Sequence, residues 1–249
     1  MSGCKTNRLT RDKRFLLRYR VAFPLTNRAV GLKIIYILLA LDRLVYYIDP
    51  MNRNPEHDTR EHLLATGETL CLALGFTGMG LSELLRTAEV PKGSFYHYFR
   101  SKEAFGVAML ERYYQRYNQH FSEQLHAPQG HHAERLLGWY QNALSEFLAC
   151  GHLTHCLGLK LSAEVCDLSE DMRAALNSGS ARVVAILTDS LEQVRQENKV
   201  NFDGETSVLA QIVYVLWLGA GLQAKLSRNP APLENALAHI KSILAVPVS

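Results

Sequence analysis

A chain of 249 residues that is 47% apolar and 20% charged can bury a large core, which excludes a disordered or low-complexity polypeptide. Sixteen Gly and eight Pro are too few turn residues for a many-stranded sandwich or barrel, and five Cys without CxxC or zinc spacing exclude a disulfide or zinc scaffold. The net charge of +3 is uneven: residues 1–50 hold 10 Lys+Arg and 3 Asp+Glu, leaving 17 and 21 in the remainder, so a nucleic-acid surface must be a local patch.

Residues 1–50 read as an extension. A basic start leads into an apolar run at 30–48 that Asp42-Arg43 interrupts, too short to span a membrane and followed by no small-residue cleavage site. The composition changes abruptly at Met51, which suggests that translation starts there; a basic DNA-binding arm is the competing reading. No membrane partner is expected, and the unpaired cysteines suit a reducing cytoplasm.

Helical patterning begins after Met51. Asp58-Thr-Arg-Glu61 has capping-box form, and Leu63, Gly67, Leu70, Cys71 and Leu74 follow on one face until Gly75 stops the helix. Leu81–Ala88 forms a second, short helix with Leu81, Leu84, Leu85 and Ala88 inward, and Glu89-Val90 makes a tight turn. Pro91 opens a third helix over Lys92–Phe99, and Ser101 caps a fourth that runs from Lys102 to about His126.

Two short helices joined by a turn, the second thin and basic at its start, describe a helix-turn-helix. Gly93 and Ser94 let the third helix approach base edges, while Ser82, Lys92, Tyr96, His97, Tyr98 and Lys102 are the further candidate DNA contacts. Phe95, Phe99 and Phe105 read as core, and Cys71 as inert packing.

The run Lys92-Gly93-Ser94-Phe95-Tyr96-His97-Tyr98-Phe99 is preceded by Gly75-Phe76, Leu84-Leu85, Ala88 and Val90, and followed by Ser101-Lys102-Glu103. Together these resemble the N-terminal signature of TetR-family repressors. Two positions depart from it: Gly80 stands where the family usually has a Ser or Thr cap, and Glu89 where it usually has Gly. The resemblance implies an all-α fold with a helix-turn-helix DNA-binding domain at 51–105 and a helical sensing and dimerisation domain at 106–249. It further implies a homodimer on double-stranded operator DNA.

Helical periodicity continues to the end. His132–Cys150 carries Leu136, Leu137, Tyr140, Leu144, Phe147 and Leu148 inward, and a shorter helix covers roughly Cys156–Cys166. A second capping box, Asp167-Leu-Ser-Glu170, opens a long helix with Met172, Leu176, Val183, Ile186, Leu187 and Val194 inward. Two helices follow, at about 205–227 and 232–245. Val208, Leu209, Ile212, Val213, Val215, Leu216, Leu218 and Leu222 cover most of the first one's circumference, as in a bundle shared between two protomers. His131-His132 reads as a solvated loop pair. No catalytic motif is present, so neither an enzyme nor a cofactor or metal is expected.

Cys166 precedes a helix start, where the helix dipole favours thiolate, but Glu164, Asp167, Glu170 and Asp171 oppose it. A thiolate there needs a basic partner, and Lys225 is the candidate; spacing alone makes Cys166 an ordinary buried thiol. Across Glu56–Arg112, Leu161–Arg173, Leu216–Lys225 and Pro232–His239 the chain resembles an electrophile-sensing branch of the TetR family. That resemblance implies a sensor at Cys166, a linked lysine at Lys225, and release from DNA when a reactive electrophile or oxidant modifies the thiol. Cys150 and Cys156 lie nearby. A lipophilic small molecule bound without a covalent bond is the alternative inducer.

Overall fold

The computed structural model describes residues 55–151, 157–198, 202 and 204–244; the extension read at 1–50 lies outside them. Every regular element among the described residues is helical: α1 (Pro55–Leu74), α2 (Leu81–Ala88), α3 (Lys92–Tyr98), α4 (Lys102–Leu125), α5 (His132–Cys150), α6 (Leu157–Val165), α7 (Glu170–Asn198), α8 (Thr206–Ser227) and α9 (Ala231–Leu244).

The Asp58–Glu61 pattern lies inside α1, which is already helical at Pro55, and so does not mark its start. Proline in a first turn forfeits no hydrogen bond, because those N–H groups have no intrahelical partner. Leu63, Leu64, Gly67 and Cys71 are buried along α1, whereas Leu74 is half exposed at its last position. Helix α2 ends as the sequence predicts, on Glu89 in the left-handed region (φ 55°, ψ 35°). A side chain there costs on the order of 1 kcal/mol, and the turn it closes sets the angle between α2 and α3.

Pro91 caps α3 instead of entering it, and Phe99 leaves in an extended conformation. Ser101 then caps α4, its Oγ accepting the Ala104 N–H at 3.0 Å. Helix α7 is capped by Ser169, whose Oγ accepts the Met172 N–H at 3.2 Å, and not by Asp167. The cause is local: Leu168 and Ser169 still donate to the Val165 carbonyl at 3.1 and 3.0 Å, so the last turn of α6 winds on past Asp167.

Helix α7 is the spine, packing on α4, α5, α6 and α8. One apolar core runs unbroken from Leu63 on α1 to Leu244 on α9, so the boundary read at 105/106 falls inside α4 with no gap in packing. A smaller cluster joins Phe147 to Ala220, Ala224, Leu233 and Ala236. His132 is not solvated: it is 8% exposed, with its backbone N–H on Glu197 at 3.2 Å and its Nε2 3.4 Å from the same carboxylate. Leu148 faces solvent, against the inward position expected.

Helix α8 is apolar on two faces. Leu209, Ala210, Val213, Ala220 and Ala224 are buried on α7 and α9, while Val208, Ile212, Val215, Leu222 and Leu226 are exposed. Among the described residues it is also the helix long and apolar enough to cross a membrane, although one face is already packed within the protomer.

Candidate functional site

Helix α3 is fixed from beneath by rings. Phe95, fully buried, lies 5.4 Å from Phe99 and 5.5 Å from Phe105, and Phe99 meets Phe105 edge-on at 5.0 Å. Such pairs contribute beyond their buried area, and they bind the short helix to the start of α4. With that face inward, Lys92, Gly93, Tyr96 and His97 are exposed, and Ser94 and Tyr98 half-buried. The Lys92 ammonium sits 5.9 Å from the centre of the Tyr96 ring. A Cβ on Gly93 would meet no atom within 4 Å, so internal packing does not demand glycine there.

Ser82 is exposed at the start of α2, whose N-terminus has no side-chain cap. Lys102 differs from the other basic candidates. Its Nζ donates to the Phe76 carbonyl at 2.8 Å and lies 4.7 Å from the Phe76 ring, so the ammonium already binds the loop between α1 and α2.

The sequence did not reveal who holds that loop from the other side. Glu164 on α6 accepts the Phe76 N–H at 3.0 Å, the Thr77 N–H at 2.5 Å and the Thr77 hydroxyl. Burial pushes the Glu164 carboxyl up, but the bonds from Thr77 and Phe76 outweigh it and hold the group below the ordinary range. One turn earlier, Lys160 donates to the Leu72 carbonyl at the end of α1. A second unforeseen network ties α1 to α4, where Arg112 bridges Glu61 and Glu68, and Arg116 reaches Glu68 at 3.3 Å. Glu61 and Glu68 are two turns apart on one helix, which shows a charged face in the sequence but not its partner.

Two thiols are described, and both are free. Cys71 is buried, 3.9 Å from the Met79 sulfur, and burial pushes its thiol up to about 12, which disfavours the thiolate. Cys166 is half-buried at the corner between α6 and α7 and packs against the core. Arg173, on the first turn of α7, is paired with Glu170. Lys225 is exposed on the last turn of α8. Helix α6 packs on α1 and α7, whereas α8 packs on α7 and α9, and no hydrogen bond joins Cys166 to Lys225 among the described residues. Cys156 and the side chain of Cys150 lie outside them.

Residues 63–109, which hold this head, match the family described as bacterial regulatory proteins, tetR family, and residues 133–240 match a tetracyclin repressor-like C-terminal domain. The HTH-type transcriptional repressor NemR of Escherichia coli K12 is 61% identical over 197 residues, which cover 79% of this chain and 99% of that protein. The chain belongs to the TetR family. It is a NemR-like transcriptional repressor of that family. The crystal structure of E. coli NemR in its reduced form superimposes with a TM-score of 0.71 at 59% identity, covering 77% of this chain and all of that one. The transcriptional repressor DhaR of Mycobacterium sp. strain GP1 is 29% identical over 75% of this chain and 91% of its own length. These TetR-type relatives are transcriptional regulators, in keeping with a head built to present α3.

Proposed function

We propose that two copies of this chain form a cytoplasmic homodimer that holds operator DNA while its thiols are free. Modification of a thiol in the segment 150–166 by an electrophile or oxidant then releases it. Cys166 is the thiol whose setting the structure gives. The observation that carries the reading is its position: it directly follows α6, the helix that packs on α1 of the DNA-binding head. A group added to a half-buried thiol there must displace the corner between α6 and α7. Lys225 enters as the partner for an N–S bond only after movement or through the second protomer, since α8 and α6 pack on different neighbours.

The test is an operator titration before and after treatment with an alkylating maleimide and, separately, a chlorine oxidant. It is repeated on Cys166→Ser, Cys156→Ser and Cys150→Ser. Cys166→Ser should bind operator like the parent and resist release by both reagents. Resistance in Cys156→Ser or Cys150→Ser instead would move the sensor along the segment. Release that persists in all three single variants and in the triple variant would overturn thiol sensing in this segment, and release of the triple variant by an unreactive lipophilic compound would support the non-covalent inducer.

At the DNA surface, Lys92 and Ser94 take the role of base-reading residues, with Tyr96, His97, Tyr98 and Ser82 beside the phosphates. Lys92→Ala and Ser94→Ala should relax preference at particular base pairs by roughly 1–3 kcal/mol each. Lys102→Ala should weaken all operators alike and reduce the salt slope by about 1 if its ammonium also meets a phosphate. An unchanged slope would restrict Lys102 to its bond with the Phe76 carbonyl. The extension at 1–50 takes no part in this scheme, and its deletion should leave operator affinity as it is. Loss of binding in the truncated chain would restore the basic-arm reading.

A further inference from the structure

We propose that Glu164 is the positioning residue through which the sensing helices set the DNA-binding head. The inference deepens the repressor reading and, for its inducer arm, rests on release by thiol modification. The loop at 75–77 has its polar backbone held from two sides. Glu164 on α6 takes the N–H groups of Phe76 and Thr77 and the Thr77 hydroxyl; Lys102 on α4 takes the Phe76 carbonyl at 2.8 Å.

The loop is built to admit the carboxylate. Gly75 has φ +80°, and a Cβ on it would sit 2.7 Å from Glu164 Oε2, so glycine serves both the turn and the approach. Lys160 satisfies Leu72, one of the α1 carbonyls left without an intrahelical partner. Little slack remains between this grip and α2. Met79 is fully buried and donates its N–H to the Gly75 carbonyl at 3.1 Å, and α2 begins two residues later. A shift of residues 76 and 77 therefore carries the start of α2, and with it the turn that orients α3.

Cys166 stands two residues beyond Glu164, with the fully buried Val165 between them. A bulky or oxidised Cys166 cannot be accommodated by turning Val165 outward without burial loss, so the last turn of α6 must rotate or withdraw. Either motion takes Glu164 with it.

The test uses the full chain, a labelled operator duplex, and hydrogen exchange read on peptides covering residues 72–80. Removing a negative charge near DNA should by itself tighten binding. Glu164→Gln should instead weaken operator binding of the untreated protein about tenfold, the factor expected from losing one charge-assisted hydrogen bond, with an unchanged salt slope. Exchange at Phe76 and Thr77 should accelerate in the variant. The same acceleration should appear in the parent after alkylation with iodoacetamide. Thr77→Val, which removes only the hydroxyl contact, should weaken binding about threefold and replaces the glutamine variant if that one does not fold.

Operator affinity in Glu164→Gln equal to or tighter than the parent's overturns the proposal. So does release of the alkylated parent with exchange at 76–77 unchanged. If alkylation fails to release the parent at all, the thiol-sensing reading falls on its own. The affinity of the untreated variant then decides the role of Glu164, tenfold weakening supporting it and parental affinity ending it.

Discussion

Gly179→Ala is expected to lower the melting temperature of the full chain by about 5 °C, although alanine is the better helix former. Gly179 lies on α7 against the ring of Tyr114 on α4, and a Cβ there would fall within 3.0 Å of three ring atoms, including Cγ. Two effects compete. Replacing a helical glycine gains roughly 1 kcal/mol of propensity, whereas overpacking costs about 1–3 kcal/mol or more. The clash decides the sign, because it strikes the root of a buried ring and not the free end of a flexible chain. Asn118 ties the same crossing from the side, its Nδ2 donating to the Gly179 carbonyl at 3.3 Å. For a domain of this size 1 kcal/mol corresponds to about 2–4 °C. Gly158→Ala should cost less, since its Cβ would meet the hydroxyl end of the same tyrosine. A melting temperature for Gly179→Ala at or above that of the parent would mean that α4 and α7 cross less tightly than they do here. The crossing matters because α4 follows α3 after three residues and is joined to it by the Phe95, Phe99 and Phe105 rings, so its seat on α7 bears on where the head points.

Much of the head was legible in the sequence because its signals are local. Gly75, Glu89, Pro91 and Ser101 punctuate the chain within a residue of the observed boundaries, and Phe95, Phe99 and Phe105 meet as their spacing suggests. The misread cap of α7 shows the limit: Asp167 and Ser169 both had the chemistry, and only the continued winding of α6 chose between them. His132 was misread for a similar reason, since its partner Glu197 is 65 residues away and nothing in a His-His pair announces it. Glu164 was seen only as an anion opposing a thiolate at Cys166. Its place beneath Phe76 and Thr77 depends on how α6 meets the end of α1, and no periodicity records that. The pairing of Cys166 with Lys225 rests on family resemblance, and the helices next to them pack on different neighbours, α6 on α1 and α7, α8 on α7 and α9.

The exposed stripe on α8 yields the larger functional effect. Val208, Ile212, Val215, Leu222 and Leu226, with exposed Gly219 among them, recur every three or four residues along one face, while the opposite face is buried on α7 and α9. That spacing is the seam of helices packed nearly parallel. A second copy fits it, because a two-fold axis along the stripe places the same apolar residues on both sides. Helices α8 and α9 with their symmetry mates would form a four-helix bundle, and for both heads to bind, the two α3 helices must match major grooves about 34 Å apart. Val215 and Leu222 are 55% and 46% exposed in the protomer, so the protomer core does not depend on them. Val215→Glu with Leu222→Glu sets four like charges on one dimer seam. The variant should sediment as a monomer and keep its helical circular dichroism. Operator affinity should fall by at least about 100-fold in the double variant, the usual gain of linking two binding modules. Its salt slope should roughly halve, because one head neutralises half as many phosphates. A double variant that still sediments as a dimer would exclude this face as the interface. One that is monomeric yet binds operator as tightly as the parent would show that a single head suffices, and with it the need for α8 to bring two recognition helices together would disappear.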